Sequence, residues 1–317
     1  MKKIPDDLDT DLNLVRWIRG HQGNLDKICT NFTQYVSSRK AAGFLGRDLP
    51  ERYFEMPQIK PFLPFIASSR LADTVWSEEH NAFMFVERAW AQPKEFIKTF
   101  KASDYLIHCF GYSELLLQLM LEYPEVVQRI YLLNPPRLVS LLWKIARLFL
   151  NENNLRRMEI VGDNDMTKYM NSKFVPKEYG GDFVNKDMPG DESGVSIRRK
   201  ITAADYYQAY QHYVVRGVQR PKPAKKDLLP GEHFTIPIIV PEGKSLLWDF
   251  VSSGEIEFYI YKDKDEQQLM YPRLRLITSK LPEEGTLPNL SGGEYSFVFV
   301  NHGSFFTTKL EYAITIA

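Results

Sequence analysis

From Glu232 to the C-terminus the apolar residues fall on every second position, and that period constrains the fold more than any other feature of the chain. Phe234, Ile236, Ile238 and Val240 form one such series, and Ile256, Phe258 and Ile260 a second. Tyr295, Phe297 and Phe299 form a third, and Leu310, Tyr312, Ile314 and Ile316 a fourth. Successive side chains of a strand point to opposite faces, so each series marks a strand with one buried face. Ser252-Ser253-Gly254, Ser291-Gly292-Gly293 and Asn301-His302-Gly303 separate the strands as turns. The pattern predicts a small antiparallel β-sandwich.

A different period governs the middle of the chain. Asn134-Pro135-Pro136-Arg137 stops the preceding segment, and Asn151-Glu152-Asn153-Asn154 ends the next one. Between them, Leu138, Leu141, Leu142, Ile145, Leu148 and Phe149 recur at helical spacing, while Val139, Trp143, Ala146 and Leu150 cover much of the other side. A helix apolar nearly all round is either buried on every side or faces something greasy that is not protein. It is too short to span a bilayer, which takes roughly 20 apolar residues.

The remaining segments read as helices and short strands. Asp11 to Arg19 is a short amphipathic helix, and Asn24 caps a second that Gly43 closes. Pro50 to Pro64 is a proline-broken connector. Asn81 to Arg88, with Phe83, Met84, Phe85 and Val86 in succession, suits a strand covered on both faces. Pro93 to Phe100 and Ser103 to Glu122 are helical, with Ser103-Asp104 as a cap, and Tyr131-Leu132-Leu133 and Met158 to Val161 are strands. Alternation of this kind predicts an α/β layer domain. Asp182 to Ser196 is rich in Gly, Asp and Ser, and Ala203 to Gly217 reads as a short helix or an extended tether. Arg220-Pro221-Lys222-Pro223-Ala224-Lys225-Lys226 is a basic linker, either a solvated spacer or a contact for acidic headgroups.

Composition excludes some functions. A chain of 317 residues favours two domains over one. Lys+Arg 40 against Asp+Glu 40 leaves no bulk charge for nucleic acid, and no nucleic-acid partner is expected. Met1-Lys2-Lys3-Ile4-Pro5-Asp6-Asp7 has no apolar core of a signal peptide, and Cys29 and Cys109 form no disulfide framework, which points to the cytosol. No catalytic constellation is complete. Gly111-Tyr112-Ser113 begins like a nucleophile elbow, but Leu115 stands in place of the final glycine. His108 beside Cys109 reads as a packed helix pair, and the six histidines are scattered. Neither metal nor cofactor is expected, and the chain reads as a non-enzyme.

Several segments together resemble a known family. Leu14-Val15-Arg16-Trp17-Ile18-Arg19, Asn24-Leu25-Asp26-Lys27 and Ser38-Arg39-Lys40 are similar to the N-terminal helical lobe of the CRAL-TRIO lipid-binding family. Tyr123-Pro124-Glu125 through Asn134-Pro135-Pro136, the apolar helix, and Val175-Pro176-Lys177-Glu178-Tyr179-Gly180-Gly181 resemble its lipid-binding core. Leu247-Trp248-Asp249-Phe250, Gly293-Glu294-Tyr295 and Asn301 are similar to the GOLD domain that some members carry at the C-terminus. The order of these motifs over nearly the full length, rather than any one of them, carries the resemblance.

The resemblance implies a multidomain chain: residues 1–60 an α-helical lobe, 61–185 an α/β CRAL-TRIO domain, 186–230 a linker, and 231–317 an all-β GOLD domain of jelly-roll-like sandwich type. It implies a cytoplasmic, peripherally membrane-associated protein that encloses a phospholipid, a tocopherol-like molecule or another lipophile and moves it between membranes. The expected partners are that ligand, a transient membrane surface and a protein bound through the GOLD domain. The helix Leu138–Leu150 would be the gate. Phe83, Phe85, Tyr131 and Leu133 would line the pocket together with Leu138, Leu141, Leu142, Ile145, Leu148 and Phe149 of the gate. Such walls are needed because each exposed lipid methylene costs about 0.8 kcal/mol. Arg157 falls where phosphoinositide-binding relatives carry a headgroup lysine, and Asn154 where they have threonine. One departure is large. After Leu121-Glu122 the family has several dozen further residues, including a central apolar strand, whereas this chain runs straight into Tyr123-Pro124-Glu125. A non-catalytic adaptor acting through the GOLD domain, with a shortened lobe that binds no lipid, is the alternative.

Overall fold

The computed structural model describes residues 4–65, 76–77, 82–83, 92–119, 129–134, 158–162, 165–183, 199–278 and 280–317. The chain divides into two compact units. One comprises Met1–Pro61, Gln92–Gln118 and Ile201–Ala317; the other comprises Phe62–Ala91 and Leu119–Lys200.

The first unit begins with α1 (Asp11–Gly20) and α2 (Leu25–Ala41). Thr10 and Asn24 cap them, accepting from the Asn13 and Lys27 amides. Gly43 then turns the chain at φ +77°, a left-handed position that glycine adopts without strain. After the short α3 (Leu49–Arg52), the two-residue strands β1 (Trp76–Ser77) and β2 (Ala82–Phe83) pair antiparallel in the second unit. The rest of the strand expected over Asn81–Arg88, Phe85 included, lies outside the described residues. Back in the first unit are α4 (Pro93–Thr99) and α5 (Ala102–Leu119). A buried ion network ties α5 to the N-terminal helices. Arg39, fully buried, lies 2.8 Å from Asp7 and 2.7 Å from Glu114, and the Tyr35 hydroxyl donates to Glu114 at 2.9 Å. Burial raises the Glu114 carboxyl pKa despite the opposing pull of Arg39 and Tyr35.

The C-terminal region is the antiparallel β-rich structure that the two-residue period predicted. Its strands are β5 (Ala224–Leu228), β6 (His233–Val240), β7 (Leu246–Ser252), β8 (Ile256–Lys262), β9 (Asp265–Leu276), β10 (Glu283–Leu287), β11 (Gly293–Val300) and β12 (Thr308–Ile316). They form two four-stranded sheets, β10-β7-β12-β5 and β6-β11-β8-β9. Trp248 and Phe250 from one sheet meet Phe258, Phe297 and Phe299 from the other. Gly285, opposite Trp248 in the β10–β7 register, leaves room for the indole that any Cβ would displace. Asp263 and Lys264 at φ +53° and +59° make the two-residue turn between β8 and β9. The Ser37 hydroxyl of α2 donates to the Gln267 carbonyl of β9.

Two local expectations meet tertiary partners instead. The basic linker ends in β5, and Arg220 holds buried Asp249 of β7 through contacts of 2.6 and 2.9 Å, with Tyr213 donating to the same carboxylate at 2.8 Å. Helix α5 starts at Ala102, and its Ser103 amide is met by the Glu283 carboxylate of β10 at 2.9 Å rather than by a cap of its own. An anion at a helix N-terminus satisfies an orphan amide and opposes the helix dipole. Burial pushes the Glu283 carboxyl up to about 7. Burial also works against ionisation of adjacent Glu284, but His212 beside it and bonds from the Tyr210 amide and Tyr207 hydroxyl keep it below the usual carboxylate range.

Candidate functional site

The second unit contains the strands that sequence reasoning assigned to a pocket. β3 (Ile130–Leu133) and β4 (Met158–Val161) pair parallel, Tyr131 opposite Glu159 and Leu133 opposite Val161. Tyr131 and Leu133 are two apart and therefore share one face of β3. Both are half-buried, Ile130 is 38% exposed, and Val161 is buried. The Tyr131 ring packs on Tyr169 with centroids 5.0 Å apart, and burial raises its hydroxyl pKa. Asn134 ends the strand at φ +43°, its amide still bonded to the Val161 carbonyl at 2.9 Å.

Residues 165–183 close this unit on themselves. Met166, Phe174, Val175 and Phe183 are buried, and the Phe183 amide donates to the Val175 carbonyl at 2.9 Å. The Pro176–Gly181 segment is a turn, with a 3-10 turn over Lys177–Tyr179 and Gly180 at φ +89°. Gly181 lies so close to the Val175 carbonyl that no Cβ fits. Tyr169, Met166, Phe174 and Phe183 were not singled out in the sequence. Met166, Tyr169 and Phe174 lie in or at the end of 3-10 turns and Phe183 in an isolated bridge to Pro176, where apolar residues recur with neither a two-residue nor a 3.6-residue period.

Of the residues assigned to the lipid, Tyr131 and Leu133 are brought together on β3, and the Phe83 backbone pairs with Trp76. Phe85, Leu138, Leu141, Leu142, Ile145, Leu148, Phe149 and Arg157 lie outside the described residues, as does the junction after Leu121. An open cleft in the first unit is lined by Pro5, Asp6, Asp7, Asp9, Leu45, Gly46 and Arg47. Its three aspartates and arginine suit water better than a lipid tail.

The residues considered for catalysis sit in α5. The Ser113 hydroxyl donates to the Cys109 carbonyl at 2.9 Å, a back-bond within the helix rather than a strand-to-helix elbow. Gly111 is packed against the tip of the Phe44 ring, which would overlap any Cβ. His108 is buried against Tyr112, and desolvation lowers its pKa to about 4, so it stays neutral. Among the described residues no group of three or more His, Cys, Asp and Glu could hold a metal, and no helix is long and apolar enough to cross a membrane.

The family model for the CRAL/TRIO domain matches residues 98–181, from the end of α4 to the Gly180-Gly181 turn. A CRAL-TRIO domain-containing protein of Caenorhabditis elegans, C34C12.6, is 53% identical over 99% of this chain and 91% of its own length. That alignment spans 364 positions against a chain of 317 residues, so the relative carries several dozen residues that this chain lacks. Protein ctg-1 of the same organism is 23% identical over 61% of this chain and 53% of its own. Among solved structures, PliG of Aeromonas hydrophila, a periplasmic lysozyme inhibitor, aligns with 30% of this chain and 84% of its own at 13% identity. Its TM-score of 0.25 is too low to support a structural argument.

Proposed function

This chain belongs to the CRAL-TRIO family, and on that premise we propose that it is a non-catalytic, cytoplasmic carrier that encloses one phospholipid or similar lipophile and exchanges it at membranes. Membership alone points to binding and transfer of a lipophile. The finer reading adds a gate formed by Leu138–Leu150. It also adds pocket walls from Phe83, Phe85, Tyr131, Leu133 and the gate's Leu138, Leu141, Leu142, Ile145, Leu148 and Phe149, with Arg157 toward the headgroup.

The observation that carries it is the parallel register of β3 and β4. A parallel connection must return along the pair before the second strand begins. The apolar stretch Leu138–Leu150 lies within that connection, and half-buried Tyr131 and Leu133 lie on the strand that precedes it. The antiparallel C-terminal region is assigned to a GOLD domain at residues 231–317, with the helical lobe at 1–60, the carrier domain at 61–185 and the linker at 186–230. In that arrangement the chain resembles supernatant protein factor. The test is extraction and identification of lipid from purified full-length protein, compared with a Leu142→Asp variant. A bound lipid in the parent and its loss in the variant are expected; parent protein free of lipid sinks the reading.

The longer relative favours a second reading, in which the shortened lobe binds nothing and the chain is an adaptor acting through its β-region. A lipid-free parent that still captures a protein partner through residues 231–317 would support it.

A further inference from the structure

The β-sandwich leaves one end apolar. Phe305 and Phe306, adjacent in the loop between β11 and β12, are 86% and 81% exposed, whereas Phe297 and Phe299 just before them are buried. Leu229, one residue beyond β5, is 59% exposed, and Ile277, one residue beyond β9, is 50% exposed. Strand register puts all three loops at the same end. Thr308 lies opposite Leu228, Val300 opposite Glu257, and Ile256 opposite Leu276.

These tips are held, not loose. Asn301, buried to 2%, donates through Nδ2 to the Leu228 carbonyl at 3.0 Å and to the Phe306 carbonyl at 2.9 Å. Its Oδ1 accepts from the Gly303 amide at 2.9 Å. Thr278 Oγ1 accepts from the Ser252 amide at 2.6 Å, and the Ser253 amide donates to the Lys309 carbonyl at 2.9 Å. One buried asparagine and two short turns therefore tie down backbone at these tips, which lowers the ordering entropy that opposes burial of their apolar side chains elsewhere.

The charges behind the tips favour one occupant. Lys280 and Lys309 are exposed and enter no ion pair within 4 Å among the described residues, though Lys309 lies opposite the exposed Asp227 in the β12–β5 register. His302 and Arg275 share Glu257 at 3.3 and 3.6 Å, and Glu255 is an exposed counter-charge. Projecting aromatic rings backed by lysines match the boundary between acyl chains and anionic headgroups, where rings are buried and ammonium groups stay wet. We propose that this end of the sandwich docks on anionic membrane surfaces by inserting Phe305 and Phe306 at the headgroup level. Every group involved belongs to the sandwich, so docking is expected whether or not the other unit carries a lipid.

Sedimentation of full-length protein with vesicles of phosphatidylcholine and phosphatidylserine tests it. The parent should sediment with them, more so than with phosphatidylcholine alone. Phe305→Ser/Phe306→Ser should weaken binding by at least about tenfold while leaving the urea unfolding midpoint and any co-purified lipid unchanged. Lys280→Glu/Lys309→Glu should abolish the preference for phosphatidylserine. In Phe305→Trp, brominated acyl chains should quench emission beyond that of the parent. Three results overturn the proposal: a parent that ignores both vesicles, a double Phe variant that binds as the parent does, or a dimeric parent that the Phe substitutions turn into monomers.

Discussion

In the sandwich, Tyr295, Phe297, Phe299, Phe258 and Ile260 are each 1% exposed or less, whereas on β3 Ile130 is 38% exposed and Tyr131 and Leu133 are only half-buried. Both regions use aromatic and branched residues on strands, yet the strand residues of the sandwich are enclosed and those of β3 are only partly covered. Two facing sheets supply each other's apolar partners, so the sandwich needs nothing further to exclude water. The parallel pair keeps apolar surface available, which is costly in isolation and useful to a protein that must receive a lipid.

The largest effect separating the two regions is expected from Trp248→Ala. Removing a side chain wedged over Gly285 between the sheets should cost about 3–5 kcal/mol, read as a lower urea midpoint. Leu133→Ala should cost about 1 kcal/mol because its side chain is already half in water. Equal losses would erase the distinction. Arg39→Ala comes next, at about 3 kcal/mol, since it leaves Asp7 and Glu114 buried without their cation; the same denaturation series measures it.

A smaller, pH-dependent effect probes the seam between α5 and β10. A carboxyl whose folded pKa is raised favours the protonated folded state, so its contribution to stability is lost as pH rises from about 4.5 to about 7. Glu283→Gln keeps an oxygen for the Ser103 amide and removes the charge. It should therefore raise the unfolding free energy at pH 8 by about 1–2 kcal/mol, and change it little at pH 4. Equal shifts at both pH values would show that Glu283 titrates normally. The smallest effect on stability belongs to Tyr131→Ala, about 1 kcal/mol or less. Its mark should instead be a lower lipid content in the purified protein.

The sandwich was legible because burial of one face imposes a period that short sequence windows display. Asn24 and Gly43 are legible for a similar reason: caps and left-handed turns are settled within a few residues. The partners of Asp249 and Glu283 were not. Arg220 reaches Asp249 from a stretch whose prolines and lysines read as a spacer or headgroup contact, Tyr213 from one that read as a short helix or tether, and the Ser103 amide reaches Glu283 from 180 positions away. No local pattern encodes contacts of that kind. On the candidate site, the two strands, though not their parallel pairing, were legible from short apolar runs and their punctuation. Tyr169, which packs on Tyr131, was hidden in a 3-10 turn without periodicity.

Native mass spectrometry of the full-length protein, purified without added lipid, addresses carrier function most directly. The expected spectrum shows one lipid-sized adduct per chain in the parent, diminished in Tyr131→Ala and absent in Leu142→Asp. A parent chain at its bare mass, with its sandwich still folded, would contradict the assignment of this protein as a lipid carrier.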